Sequence, residues 1–280
     1  MKYANLHLHS THSDAGFTPE QLVIIGKSLG YGALALTDHE TDSGCKKFLE
    51  VCRREGIRGI SGAEFYGRCD GYGLHLTALD YDLNDPGIRA HVEKRCRDYN
   101  EWLRKCVERA LNLGIIEGIT WDDVVYYNPE GAWLCIDSLV NTLKIKKAMP
   151  EGGSNYVRQN VVKPPEVMEW KPAQPDAEEV IKLVRKAGGV IALAHPSPKG
   201  MERLPMMVEW GLNGIEIDHP EVNSEMAADI LEAEKTYNLY HCGGTDHTGP
   251  MGCNGGNLAI PVFNGITEEE FDTLVERRLG

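Results

Sequence analysis

Three histidines and an aspartate fall within the opening stretch MKYANLHLHSTHSDAG: His7, His9, His12 and Asp14. The alternation from Ala4 to His9 reads as a short strand, in which residues two apart point to the same face. His7 and His9 therefore project side by side, where two imidazoles can share one cation, and Asp14 on the following loop is placed to add an oxygen ligand. The same residue types recur: Asp38-His39 after ALALT, Glu64 after GISGA, His75 within GLHLTALDYD, His195 after VIALA, and Asp246-His247 after HCGGT. Together His7, His9, Asp14, His39, Glu64, His75, His195, Asp246 and His247 supply nine nitrogen and oxygen donors and no thiolate. That set suits two or three divalent ions (Mn, Zn or Fe), with a carboxylate, most simply Glu64, bridging a pair. Such ions acidify a shared water and neutralise phosphate oxygens during in-line attack, chemistry that needs no serine or cysteine nucleophile.

These residues need a scaffold that gathers them. Short apolar runs bounded by Gly or polar turns occur at 5–8, 33–37, 59–62, 74–79, 190–194, 214–217 and 240–243. Helical patterns lie between most of them, as in 18–29, 177–187 and 224–237. Near-continuous apolar strands alternating with helices predict a parallel α/β sheet buried on both sides, and about seven strands favour a barrel over an open sheet. Ligands in such folds sit at the carboxyl ends of the strands, where the connecting loops converge. The alternation breaks after a long charged helix begins near Arg89, and resumes near residue 173. The predicted organisation is therefore a barrel in two parts, 1–97 and 173–280, with a small, mainly helical insertion at 98–172 that caps the site.

Composition narrows the partners. The 280 residues carry a net charge of -13, which argues against a long nucleic acid, since phosphate-backbone binders present a basic face. A small phosphorylated substrate remains compatible, because metal ions reverse the field locally. The opening residues carry no basic segment followed by an apolar run, and no stretch approaches a membrane span. The eight cysteines (Cys45, Cys52, Cys69, Cys96, Cys106, Cys135, Cys242 and Cys253) form no C-x-x-C pair. They read as reduced thiols of a cytoplasmic protein. Oligomeric state is not readable.

The motifs H-x-H-x-x-x-S-D-x-G (His7 to Gly16), T-D-H (Thr37 to His39), G-A-E (Gly62 to Glu64), the later His75, A-H-P (Ala194 to Pro196) and G-T-D-H (Gly244 to His247) run from end to end of the chain. In this order they resemble the PHP (polymerase and histidinol phosphatase) family of metal-dependent phosphoesterases. The resemblance implies a distorted seven-stranded, TIM-like (β/α)7 barrel with up to three metals at its C-terminal face. It implies His7, His9, Glu64 and Asp246 on a first metal, Glu64, His75 and His195 on a second, and Asp14, His39 and His247 on a third. Two departures stand out. The family's last motif reads Asp-x-His, whereas Asp246 and His247 are adjacent. Relatives acting on 3',5'-bisphosphorylated nucleosides or RNA ends carry an Arg- and His-bearing motif in the insertion, where this chain has WLCIDSLVNTL; Arg158 could supply the missing cation.

Around the ligands, His219 in EIDHPEVN has two readings: a phosphate ligand or proton donor to the leaving oxygen, or a histidine supporting the site from behind. Lys199 and Arg203 follow the His195 strand and are candidates for phosphate binding, against the alternative of solvated loop cations. His12, His91 and His241 read as non-ligands. Catalysis is expected to rest on Glu64, Asp246 and His219. The expected function is hydrolysis of a small phosphate monoester or cyclic phosphodiester, sugar- or nucleotide-derived. Alternatives are a nucleoside 3',5'-bisphosphate or RNA-end phosphatase, a histidinol phosphatase, an amide or lactam hydrolase on a related barrel, and a non-catalytic metal-binding module.

Overall fold

The computed structural model describes residues 2–247 and 264–276, so Cys253 lies outside the described residues. The predicted succession of strands and helices is present as an α/β fold. β1 (Ala4–Asn5), β2 (Ala33–Ala35) and β3 (Arg58–Ile60) form a parallel sheet. β4 (Gly62–Cys69), β5 (Tyr72–Leu79), β6 (Val190–Leu193), β7 (Gly214–Asp218) and β8 (Tyr240–Gly243) form a second sheet in that order.

The all-parallel run expected from the sequence is interrupted. β4 and β5 are antiparallel, β5 is antiparallel to β6, and only β6, β7 and β8 run parallel. The cause is local: Asp70 and Gly71 adopt φ of 46° and 74°, the paired positive values of a tight hairpin turn, and fold GAEFYGRC back onto YGLHLTAL. Backbone hydrogen bonds join the two sheets at their edges. Leu6 N donates to Gly243 O and Asp246 N to His7 O, both at 3.0 Å, while Glu64 N donates to Asp38 O at 3.0 Å. The first of these junctions requires a glycine: a Cβ on Gly244 would lie 2.3 Å from the His7 backbone nitrogen.

Helices pack outside the strands. α1 (Pro19–Ser28) starts with a Thr18–Gln21 capping box, and α2 (Cys45–Glu55) ends at Gly56 in the left-handed region. α3 (Pro86–Asn112) is capped by Asp85 and runs unbroken through the boundary expected near residue 98. Its first turns bury Ile88 and Val92 in the main core with Phe65, Leu76 and Ile181. Its later turns bury Tyr99, Trp102, Leu103 and Val107 in a separate core. That second core is completed by α4 (Trp121–Tyr126), α5 (Ile136–Ile145), α6 (Gly153–Val157), a π-helical turn at Arg158–Val162 and α7 (Pro165–Met168). The chain then returns through α8 (Ala177–Lys186), α9 (Pro198–Glu209), α10 (Ser224–Tyr237) and α11 (Glu268–Glu276). Among the described residues, no helix is long and apolar enough to cross a membrane.

Candidate metal centre and active site

The strand expected from Ala4 to His9 ends at Asn5, and His7 and His9 on the segment after it, the loops after β2 and β8, the β4–β5 hairpin and the end of β6 converge on one carboxylate. Glu64 Oε1 lies 2.8 Å from His75 Nδ1 and 3.0 Å from His195 Nε2. Its other oxygen lies 2.8 Å from His39 Nδ1 and 3.5 Å from the Nε2 atoms of both His7 and His9. Asp246 completes the cluster, with Oδ1 2.9 Å from His9 Nε2 and 3.6 Å from His7 Nε2. Asp14 lies 3.8 Å from His9 Nδ1 and 3.6 Å from His39 Nε2.

The arrangement fits divalent cations better than it fits itself. His7 Nε2, both ring nitrogens of His9, His39 Nδ1, Glu64 Oε2 and His219 Nε2 are buried without a hydrogen-bond partner. Each such group costs about 1–3 kcal/mol when nothing satisfies it. A cation of the zinc, manganese or iron type removes that penalty from several donors at once. Four triplets have donor atoms within 4.8 Å of one another: His7–His9–Asp246, His7–Glu216–His219, His9–His39–Glu64 and Glu64–His75–His195. Asp14 and His247 belong to none of these triplets. The His247 ring stacks on Phe17 with centroids 5.8 Å apart, and its carbonyl accepts the His9 amide.

Charge coupling within the cluster is strong. Burial alone would raise the Glu64 carboxyl, but the imidazoles of His75, His39 and His7 hold it well below the usual carboxylate range. Burial likewise acts against Asp246, and His7, His219 and His9 outweigh it. Burial disfavours charge on His7, yet Glu216, Glu64 and Asp246 raise it well above an ordinary imidazole. Without metal the site is a set of carboxylates balanced by protons, and metal binding exchanges those protons for a cation.

Three groups support the cluster from behind: Asp38 of the T-D-H motif, and Glu216 and Glu40, which carry no motif and escape a reading of the sequence. Glu216, fully buried on β7, places Oε1 2.9 Å from His7 Nδ1 and accepts from Thr77 Oγ1 and from the His195 amide. It thereby fixes His7 with Nε2 toward the cluster. Asp38 accepts from the Ser10 amide and from the hydroxyls of Ser10 and Ser13, which folds the loop that carries Asp14. Glu40 accepts from the Tyr66 amide and pairs with buried Arg95 of α3. The sequence places Glu216 between Ile215 and Ile217 like any glutamate of a half-exposed strand, and only its burial reveals the role. Glu40, His195 and Asp246 hold positive φ of 57°, 27° and 49°, backbone strain concentrated where the ligands are aimed.

Of the substrate-side candidates, His219 is at the cluster. Its Nδ1 accepts from the Glu221 amide at 3.1 Å, so the neutral ring carries its proton on Nε2, which lies 3.6 Å from Asp246 Oδ2. Arg158 pairs with Asp137 in the insertion. Arg203 donates to Cys69 O and Lys199 O, and both cations lie over Tyr72. Both are therefore engaged with the hairpin and with α9. A cavity of about 330 Å³ opens beside Asp14, between the 11–18 loop and the insertion. A second, of about 250 Å³, is lined by His75, His195 and Ser197. Of the remaining histidines, His12 bonds Ser43 and His241 bonds Glu234, away from the cluster.

Comparison with known proteins gives the same direction. The chain is 26% identical over 255 residues to a phosphoribosyl 1,2-cyclic phosphate 1,2-diphosphodiesterase of Eggerthella lenta, covering 89% of this chain and 95% of that one. It is 25% identical over 270 residues to a 3',5'-nucleoside bisphosphate phosphatase of Chromobacterium violaceum, covering 89% and 88%. A solved structure from Bifidobacterium adolescentis, named as a metal-dependent phosphoesterase, superposes with a TM-score of 0.81 at 23% identity over 99% of this chain and 96% of that one, which shows the shared fold. The PHP domain model matches residues 5–194, well over half of the length and most of the ligands described above, and the chain belongs to the PHP domain family.

Proposed function

We propose that this protein is a hydrolase of phosphoric esters: a metal-dependent phosphoesterase that cleaves a small phosphate monoester or cyclic phosphodiester. The observation that carries this reading is the Glu64 carboxylate ringed by His7, His9, His39, His75 and His195, with buried donor atoms that no protein group satisfies. His7, His9, Glu64 and Asp246 would hold one ion, and Glu64, His75 and His195 a second. Asp14, His39 and His247 would hold a third. When bound, such ions acidify water and neutralise the phosphate during in-line attack. Glu64 and Asp246 would each contribute carboxylate oxygens to the ions, and His219, whose neutral ring carries its proton on Nε2, would hydrogen-bond the phosphate or the leaving oxygen. The names of the relatives, a cyclic phosphate diesterase and a bisphosphate phosphatase, support the phosphoester class.

We read the two sheets as parts of one distorted seven-stranded barrel, with β3 and β4 a single strand bent at Ser61, supported by the backbone bonds between their edges. On this reading 98–172 is a capping insertion. The thiols of Cys45, Cys52, Cys69, Cys96, Cys106 and Cys135, none of them in a disulfide, support a cytoplasmic setting.

The test is elemental analysis of purified protein, with phosphate release measured on the same sample from monoesters and cyclic diesters beside amides and lactones. Two or more equivalents of divalent metal with phosphate release is the expected result. Amide turnover alone, or no turnover after Mn or Zn loading, overturns it.

A further inference from the structure

The cavity of about 330 Å³ beside Asp14 is the only one of the two at the metal face that reaches the insertion, and its lining has a definite chemical sense. Its walls include Glu130, Asp137, Asn128 and Asn141, and no Lys, Arg or His is among the described residues that line it. Residues 248–263, which follow the Asp246-His247 motif, carry no charged side chain. Arg158, the nearby insertion cation, pairs with Asp137 itself.

The lining asks for hydrogen-bond donors. Asn128 uses its amide nitrogen on Val124 O, Ser138 O and Thr142 Oγ1, so its carbonyl oxygen is what it has left to offer. Asn141 Oδ1 is buried and unpartnered among the described residues. Glu130 and Asp137 are acceptors once ionised. Separate hydroxyls of one ligand can donate to Asn128, Glu130, Asn141 and the remaining oxygen of Asp137, whose Oδ1 pairs with Arg158, whereas a second phosphate dianion has no proton to give and meets carboxylates. Among the described residues of the lining Tyr127 is the one aromatic, so these residues offer a nucleobase no pair of rings to stack between. The volume lies at the small end of the roughly 300–1,000 Å³ typical of ligand pockets.

Resting on the phosphoesterase reading above, we infer that the substrate is the singly phosphorylated derivative of a sugar or polyol, its hydroxyls seated against Asn128, Glu130, Asp137 and Asn141, and that substrates with a second phosphate or a nucleobase in this cavity are disfavoured. This differs from the substrate named for the Chromobacterium relative.

The experiment compares kcat/KM of the Mn-loaded enzyme on a pentose monophosphate, the same pentose bisphosphate, a nucleoside monophosphate and phenyl phosphate. The pentose monophosphate is expected to exceed the bisphosphate and the nucleotide at least tenfold. Glu130→Lys, at an exposed position whose partner among the described residues is Thr11, brings a cation to the wall and is expected to narrow the mono-to-bisphosphate ratio severalfold. Asn141→Leu is expected to raise KM for the pentose monophosphate severalfold more than for phenyl phosphate, which has no hydroxyl to lose. A wild-type preference for the bisphosphate or the nucleotide, with phosphate released, overturns this inference and leaves the phosphoesterase standing. Release from none of the four removes both.

Discussion

Glu216 Oε1 sits 2.9 Å from His7 Nδ1, and this contact between two fully buried side chains decides which nitrogen of His7 faces the metal cluster. The same carboxylate accepts the His195 amide at 2.9 Å, so one residue on β7 orients ligands from two other strands.

Glu216→Gln is expected to weaken metal binding about 10–100-fold, the usual effect of losing a carboxylate behind a ligating imidazole. Titration against a competing chelator measures it. Wild-type affinity in the variant would show that His7 is oriented by something else.

Glu64→Ala and His9→Ala are each expected to lose metal and to drop turnover by at least about a thousandfold, since removal of one electrostatic element alone is worth roughly 10²–10³. Metal content and phosphate release on the same samples decide the matter. Full activity in either variant would mean the ligands have been assigned wrongly.

His219→Gln separates chemistry from metal binding. A proton donor contributes about 10²–10⁴ to the rate. The expected outcome is a kcat lowered within that range, with metal stoichiometry retained. Loss of metal together with kcat would place His219 among the ligands instead.

Arg95→Ala leaves the buried Glu40 carboxylate unpaired and is expected to destabilise the fold by about 3–5 kcal/mol. Arg95→Lys should recover part of this. Urea unfolding of both variants is the check, and a loss below about 1 kcal/mol in Arg95→Ala would show that the pair contributes little.

His91, packed edge-on against Phe65, is pushed down from 6.5 to about 4 by burial, with Arg95 and Lys94 adding to the effect. Its neutral form is the folded one. As pH falls below about 6.5 the unfolded chain takes up this proton first, so stability declines until about pH 4 and then levels. The total is no more than roughly 3 kcal/mol. Unfolding of metal-free wild type and His91→Phe across that range should show a shallower decline in the variant. Parallel curves would refute the assignment.

The convergence of His7, His9, His39, His75 and His195 on Glu64 was legible because most of their motifs lie at strand ends, and strand ends in α/β folds converge. Glu216 was not, because a lone glutamate in GIEID follows the polar-apolar alternation of any half-exposed strand, and only the packing reveals that its face is interior. The β4–β5 hairpin hid for a different reason. Asp70-Gly71 is a strong turn signal, but the apolar run beginning at Leu74 looked like one more parallel strand, and GAEFYGRC before it like a strand end followed by loop. Adjacency of Asp246 and His247 was visible as an anomaly; that it turns His247 against Phe17 depends on the positive φ of Asp246, which no spacing encodes.

The unbroken course of α3 has a consequence for how the cavity wall is held. A cap that swings needs a hinge, and here the outgoing connection is helix throughout, while Arg95 on the same helix donates to Ala173 O and so pins the return segment as well. Residues 98–172 are thus tied to the main core at both ends, by the continuous helix on one side and by the Arg95–Ala173 hydrogen bond on the other. The Asn128, Glu130, Asp137 and Asn141 wall of the cavity beside Asp14 is therefore carried by a segment anchored twice to the main core, once through α3 and once through Arg95.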